Sequence, residues 1–188
     1  MAAVRDGDAS KAGILFDRYH ARLFDFFCRM NGNRAESEDL VQDVFSRILQ
    51  YRKTFRDDSP FLSWMYQIAR NARLQYFKKY GEPVVAGTQH HIPDRQAIPG
   101  MQLERNEQAA AIQRCLMKLA DDRRELLVLV WYQEMKYDQI AVLLETQVGT
   151  VKVRVHRAMK ELREIYLNEC SGKTLCNVKK SEATLRII

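Results

Sequence analysis

The sequence predicts an all-α protein of two small helical domains joined by a flexible linker. Glycine (8) and proline (4) are scarce in 188 residues, and apolar residues recur at helical spacing over long stretches. Residues 81–100 break that period and hold three of the four prolines. We therefore expect domains over 10–80 and 103–168, a linker over 81–102 and a C-terminal tail over 169–188.

The composition fits a globular chain with a polyanionic partner. Hydrophobic residues make up 46% and charged residues 29%, which allows a real core, and the net charge is +6. There is no run of the roughly 18 apolar residues that a membrane span requires. The first residues also lack the apolar centre of a signal peptide. The expected compartment is the cytoplasm.

Three helices are predicted in the first domain. The first runs from about Lys11 to Met30 and stops at Asn31-Gly32-Asn33, because Gly and Asn readily adopt the left-handed conformation that closes a helix. The second starts near Ser37 as its N-cap. After a polar loop over Thr54 to Ser59, Ser59-Pro60 opens the third helix.

The strongest local signal is a helix-turn-helix over Tyr137 to Glu164. A short helix carries Ile140, Ala141 and Leu144, the chain breaks at Glu145-Thr146-Gln147, and a second helix follows. About 100° of rotation per residue puts one apolar stripe on its inner side, formed by Val151, Val155, Ala158 and Leu162. Thr146 is placed to cap this second helix.

The other side of that helix is basic and starts with the small residues Gly149 and Thr150, as expected of a recognition helix in the major groove. A hairpin with a solvated basic face would have the same charge. The turn spacing, the small Ala141 and the small polar start of the second helix favour DNA. His156 fits a DNA contact or a solvated side chain better than a metal ligand.

Two surfaces of the first domain stay open to two interpretations. The second helix has a polar face of Asp39, Gln42, Asp43 and Arg47, which is usually a solvated surface. The third helix interleaves aromatic residues with cations, as proteins that bind single-stranded DNA do. Core spacing explains Phe61, Trp64, Met65, Ile68 and Ala72, which leaves the polar residues, and Tyr76 or Tyr80, as candidates for DNA.

Enzymatic chemistry is not expected. The sequence has no Gly-rich phosphate loop, nucleophile elbow or metal box, so we expect no catalytic residue, cofactor or metal. Cys28 and Cys115 lie within apolar helical patterns and are expected to be buried thiols. Cys170 and Cys176 lie in the tail, at no spacing that supports a metal.

Two segments together resemble a known family. SEDLVQDVFSRIL with SPFLSWMYQIARNARLQYFKK is similar to the second conserved region of the extracytoplasmic-function (ECF, group IV) sigma factors. LADDRRELLVLVWYQEMKYDQIAVLLETQVGTVKVRVHRAMKELRE is similar to their fourth. The resemblance covers about 10–80 and 103–167, in the same order.

The resemblance implies a bacterial transcription-initiation factor with three binding surfaces and no catalysis of its own. The polymerase core would contact Asp39, Gln42, Asp43 and Arg47. The minus-ten element would contact Thr54, Arg56, Ser59, Arg70, Asn71, Arg73, Lys78 and Lys79. The minus-thirty-five element would contact Thr146, Gly149, Thr150, Lys152, Val153, Arg154, His156 and Arg157. An anti-sigma factor is a further expected partner.

Two positions depart from the family pattern. Glu145 stands where the turn usually has glycine, and Val153 replaces a small polar residue, which points to contact with a thymine methyl. The alternative function is an autonomous helix-turn-helix regulator, whose first domain would sense a ligand or form a dimer. Such a sensor needs a pocket, whereas this domain has the Asp/Gln face and the aromatic-basic helix.

Overall fold

The computed structural model describes residues 1–8, 10–81 and 102–171, with side chains from residue 107 to 169 in the last range. Eight α-helices and no strand lie in these residues, which confirms the all-α prediction. They are α1 (Ala2–Arg5), α2 (Lys11–Asn31), α3 (Arg34–Gln50), α4 (Phe61–Tyr80), α5 (Gln102–Lys118), α6 (Asp121–Leu127), α7 (Tyr137–Leu143) and α8 (Val148–Ser171). None of the helices in these ranges is long and apolar enough to cross a membrane.

The first domain is a bundle of α2, α3 and α4, with the short α1 against it. Its α2 ends as predicted, because Gly32 adopts a left-handed φ of 69°. The expected start of α3 at Ser37 is wrong. Asn33 is the N-cap, and its side chain accepts a hydrogen bond from the Glu36 amide at 3.3 Å. Ser37 is buried one turn into the helix and donates its hydroxyl to the Asn33 carbonyl at 2.5 Å.

The segment between α3 and α4 was predicted as a polar loop, but it contributes one residue to the core. It contains a 3-10 turn (Arg52–Thr54), and the next residue, Phe55, is buried, with its ring centroid 5.4 Å from that of Trp64. Pro60, predicted as the first residue of this helix, is instead its N-cap, so α4 begins one residue later, at Phe61. Met65, Ile68 and Ala72 of α4 are buried, in agreement with the core spacing in the sequence.

The second domain contains the predicted helix-turn-helix, formed by α7 and α8. The preceding α5 and α6 pack against α8, and α6 continues into a π-helical turn, Val128–Tyr132. The break between α7 and α8 falls at the predicted residues, but α8 begins at Val148, so Gln147 rather than Thr146 directly precedes it. The turn closes without glycine because Glu145 adopts a left-handed φ of 50°.

This backbone conformation predicts a stabilising substitution. A left-handed conformation costs a residue with a Cβ atom about 1–2 kcal/mol, and glycine avoids this cost. Glycine also has more conformational freedom in the unfolded chain, which offsets part of the stabilisation. We expect Glu145→Gly to raise the free energy of unfolding by about 0.5–1 kcal/mol in urea titrations. As a control, Glu164→Gly on the exposed side of α8 should lower it by about 1 kcal/mol. A Glu145→Gly variant no more stable than the parent would contradict the strain.

The two domains pack directly on one another, which the sequence did not predict. Their buried apolar residues form one continuous cluster, in which α2 contacts α5 and α6, and α4 contacts α7. Gln133 is buried between them and joins Tyr66 (2.7 Å from hydroxyl to Oε1) to Asp25 (3.0 Å from Nε2 to Oδ2). The two halves therefore share a core while the chain is in this arrangement.

Some expectations lie outside the described residues. The linker falls there except for Gly81 and Gln102, and so does the tail beyond Ser171, which includes Cys176. The side chain of Cys170 also lies outside them. Cys28 and Cys115 are buried, as predicted for apolar helical positions.

Candidate nucleic-acid interface

The helix α8 has the two opposite faces that its sequence predicts. Val151, Val155, Ala158 and Leu162 are all buried against the rest of the second domain. The opposite face is exposed and comprises Gly149, Lys152, Val153, Arg154, His156 and Arg157. Half of the Val153 surface is open to solvent, so an apolar side chain lies among the cations.

The start of α8 completes this surface. Thr146 and Thr150 are half-buried, and Gly149 between them has open space where a Cβ atom would be. The buried stripe fixes the rotation of α8 about its own axis, and the tight turn at Glu145 fixes its angle to α7. A rigid helix with small residues at its exposed N-terminal end and cations along one side is suited to the major groove.

A second candidate surface lies on α3. Asp39 and Gln42 are exposed, and Asp43 is partly exposed and forms an ion pair with Arg47, one turn further on, at 2.9 Å. These four side chains share one side of the helix, while Leu40, Val44 and Ile48 on the other side are buried. The face is acidic and polar, so it suits a protein partner better than DNA.

The loop after α3 presents the predicted minus-ten residues unequally. Thr54 and Arg56 are exposed, and Ser59 is half-buried. Arg56 forms two hydrogen bonds with Asp58, at 3.1 Å from Nε and 2.8 Å from the second nitrogen. Both side chains of that pair are open to solvent, so a DNA phosphate could replace the Asp58 carboxylate at Arg56 without a steric clash.

The polar residues of α4 fall into two groups. Asn71, Lys78 and Lys79 are exposed, as a DNA contact requires. Arg73 is buried, donates to Asn31 at 2.6 Å and forms a bidentate ion pair with Asp121 of the second domain at 2.6 and 2.7 Å. Arg70 pairs with Glu125 of the same domain at 2.7 Å. Two predicted DNA contacts thus bind carboxylates of the other domain.

The pKa values of the two carboxyl groups in these ion pairs are shifted in opposite directions. Burial raises the pKa of Glu125, and the charge of Arg70 offsets part of the rise. Burial acts to raise the pKa of Asp121 too, but the hydrogen bonds and charge of Arg73 hold it below its ordinary value. The more exposed Asp121 is therefore the more strongly ionised partner at this interface.

Removal of both carboxylates should separate the domains. In Asp121→Ala/Glu125→Ala the two arginines lose their carboxylate partners. We expect the arrangement in which the two domains pack together, called the closed arrangement below, to become less stable by about 3 kcal/mol. This is the low end of the range for buried pairs, because Asp121 is half exposed. The radius of gyration from small-angle X-ray scattering should increase. Asp122→Ala, which removes the exposed neighbouring charge, is the control and should leave it unchanged. An unchanged radius in the double variant would contradict this role for the ion pairs.

Several residues of the domain contact had no signal in the sequence. Arg124 is buried and donates to the Met30 carbonyl at 2.6 Å. Arg29 lies over the ring of Tyr132, 3.4 Å from its centroid. Ser63 donates to the Gln139 carbonyl at 2.8 Å. Each of these contacts joins segments far apart in sequence, where a local pattern carries no information.

Comparison with protein families and curated proteins agrees with this division of the chain. Residues 15–82 match the family model Sigma-70 region 2, and residues 109–162 match Sigma-70, region 4. The ECF RNA polymerase sigma factor SigW of Bacillus subtilis (strain 168) is 30% identical over 171 residues, which are 86% of this chain and 91% of SigW. SigX of the same strain is 28% identical over 157 residues, 80% of this chain and 81% of SigX.

Two solved structures share the fold. CnrH in complex with the cytosolic domain of CnrY superposes with a TM-score of 0.68 at 20% identity, over 92% of this chain and 96% of CnrH. RpoE of Bartonella quintana, in complex with the anti-sigma factor NepR, has a TM-score of 0.62 at 24% identity, over 81% and 94%. With both regions matched in order and SigW related along nearly its whole length, the chain belongs to the ECF sigma factors, which bind RNA polymerase core and direct promoter-specific transcription initiation.

Proposed function

We propose that this sigma factor divides promoter recognition between its two domains, with α8 reading the minus-thirty-five element. The observation that carries the proposal is the exposed basic face of α8, opposite a fully buried stripe. Lys152, Arg154 and Arg157 would contact phosphates and base edges, and Val153 a thymine methyl. The protein itself catalyses nothing, because the polymerase performs the chemistry.

The first domain would bind the polymerase core and the minus-ten element. Asp39, Gln42 and Asp43 form a compact acidic-amide face suited to a basic or hydrogen-bonding protein surface. Asn71, Lys78 and Lys79 remain accessible for DNA in the closed arrangement. Arg70 and Arg73 would also contact DNA once the domains separate. In the closed arrangement they are paired with Glu125 and Asp121, whose carboxylates take the positions that DNA phosphates would fill.

An anti-sigma factor is the partner proposed for the free protein. Two proteins of the same fold, CnrH and the sigma factor RpoE, were each solved with a bound protein, and the partner of RpoE is named as an anti-sigma factor. A partner that binds both domains would favour the closed arrangement and cover the acidic face of α3. The proposed compartment is the cytoplasm, where the polymerase core is found.

Selection of DNA from a random library tests the proposed recognition. We expect the protein with purified core to enrich two separate sequence blocks, and the protein alone to enrich neither. Enrichment of one palindromic site by the protein alone would instead indicate an autonomous dimeric regulator. Enrichment of only one block with core would remove the corresponding domain from promoter recognition.

A further inference from the structure

The N-terminal helix α1 packs against the loop that is proposed to read the minus-ten element. Val4 is only 1% exposed, and Met1 is partly buried against the core. These residues bring α1 into contact with α2 and with the 3-10 turn at Arg52–Thr54. A segment whose sequence gave no structural signal is thus part of the folded domain.

Arg5 ties this helix to the loop. Its guanidinium donates to Asp57 at 2.7 Å, across 52 positions of sequence, and through Nε to Asp6 at 2.8 Å. The Arg5 side chain is 25% exposed, whereas that of Asp57 is 61% exposed. Asp6 orients the guanidinium from behind, so its outer nitrogen is directed at the loop.

The loop consequently has two fixed points. Phe55 is buried in an aromatic cluster, with ring centroids 5.4 Å from Trp64 and 6.0 Å from Phe61. Two residues later, Asp57 is held by Arg5. Arg56 lies between the two and is left 78% exposed. The backbone on both sides of this exposed side chain is therefore restrained.

The same ion pair also changes the charge that the loop presents. Asp57 and Asp58 are adjacent carboxylates on a surface that must approach DNA phosphates. Asp58 is paired with Arg56 inside the loop, and Asp57 is paired with Arg5 from outside it. Without Arg5, Asp57 would repel the DNA backbone at this point.

We propose that Arg5 is a positioning residue for minus-ten recognition, which holds Asp57 so that the loop is ordered, and the charge of Asp57 is partly offset, when the loop meets DNA. The proposal rests on the proposed function of this loop. It assigns the N-terminal helix a part in promoter specificity rather than in core binding or minus-thirty-five binding.

The test is transcription from a promoter library randomised at the minus-ten element, with holoenzyme built from each variant. An exposed ion pair contributes little, so we expect Arg5→Ala to reduce discrimination between the preferred and other minus-ten bases by about two- to fivefold. Core affinity and the minus-thirty-five preference should not change. Arg18→Ala removes the same charge from an exposed position of α2 and should keep the parental discrimination.

Two further variants separate positioning from folding. Asp57→Asn leaves α1 intact and should lower discrimination to a similar extent, with less loss of total transcript because position 57 then has no charge to repel DNA. The exchange Arg5→Asp/Asp57→Arg restores the pair in reverse and should restore discrimination. Thermal unfolding of each variant shows that the readout comes from folded protein.

Parental discrimination in both Arg5→Ala and Asp57→Asn would overturn the proposal. Loss of discrimination without any rescue by the charge exchange would also overturn it, since the pair itself would then not be the cause. A parent holoenzyme that shows no minus-ten preference would refute the proposed function of the loop, and this proposal with it. That outcome is distinguished from the others because it appears before any variant is compared.

Discussion

Reversal of two charges on α3, Asp39→Arg with Asp43→Arg, is expected to weaken binding to the polymerase core at least about 100-fold, because like charges placed across an interface cost several kcal/mol. Asp39 is exposed and Asp43 partly so, and neither contributes to the buried core. The only described ion pair that is lost joins Asp43 to Arg47 within the helix. The double substitution should therefore weaken binding of the polymerase core and leave the fold unchanged.

Fluorescence anisotropy with labelled protein and purified core measures this effect, and circular dichroism verifies the fold. Asp17→Arg on the exposed side of α2 gives a single reversal in the same domain as control, and should leave core affinity near the parental value. A folded double variant that binds core as tightly as the parent would remove the acidic face of α3 from the polymerase interface.

Loss of two cations from α8 is the second large effect. Lys152 and Arg157 are exposed on the face opposite the buried stripe, so neither supports the fold. Each phosphate contact contributes about 0.9 to the slope of log affinity against log salt, so Lys152→Ala/Arg157→Ala should reduce that slope by up to about 2. Where Arg157 also reads a base, specificity at that position should fall by about 1–3 kcal/mol.

Holoenzyme binding to a promoter fragment at several salt concentrations gives both quantities. Arg123→Ala, which removes a cation of α6 that pairs with Glu161 in the same domain, is the control and should not change the slope. A salt slope in the double variant equal to that of the parent would show that neither side chain contacts phosphate. Unequal effects of the two single variants would separate the phosphate contact from the base contact.

The helix-turn-helix was predictable because its determinants are local. Val151, Val155, Ala158 and Leu162 repeat at the helical period, and all four are buried. Their spacing also decides which side chains of α8 are exposed. The conformation of Glu145, which stands where the family turn usually has glycine, also follows from local structure. The turn requires a left-handed residue at this position, so the glutamate adopts that conformation.

The domain contact was not predictable, because a surface cation has the same sequence signature whether it binds a phosphate or a carboxylate. Arg73 lies among exposed polar residues of α4, yet it is buried against Asp121, 48 positions away. The start of α3 was misplaced for a related reason. Asn33 and Ser37 are both good N-caps, and only the packing of the first turn decides between them.

Run-off transcription from the selected promoters, with purified core and with or without this protein, tests the central claim most directly. We expect promoter-specific transcripts that require the protein and that disappear when either DNA element is scrambled. Transcripts that are equally abundant without the protein, or that are indifferent to both elements, would contradict it.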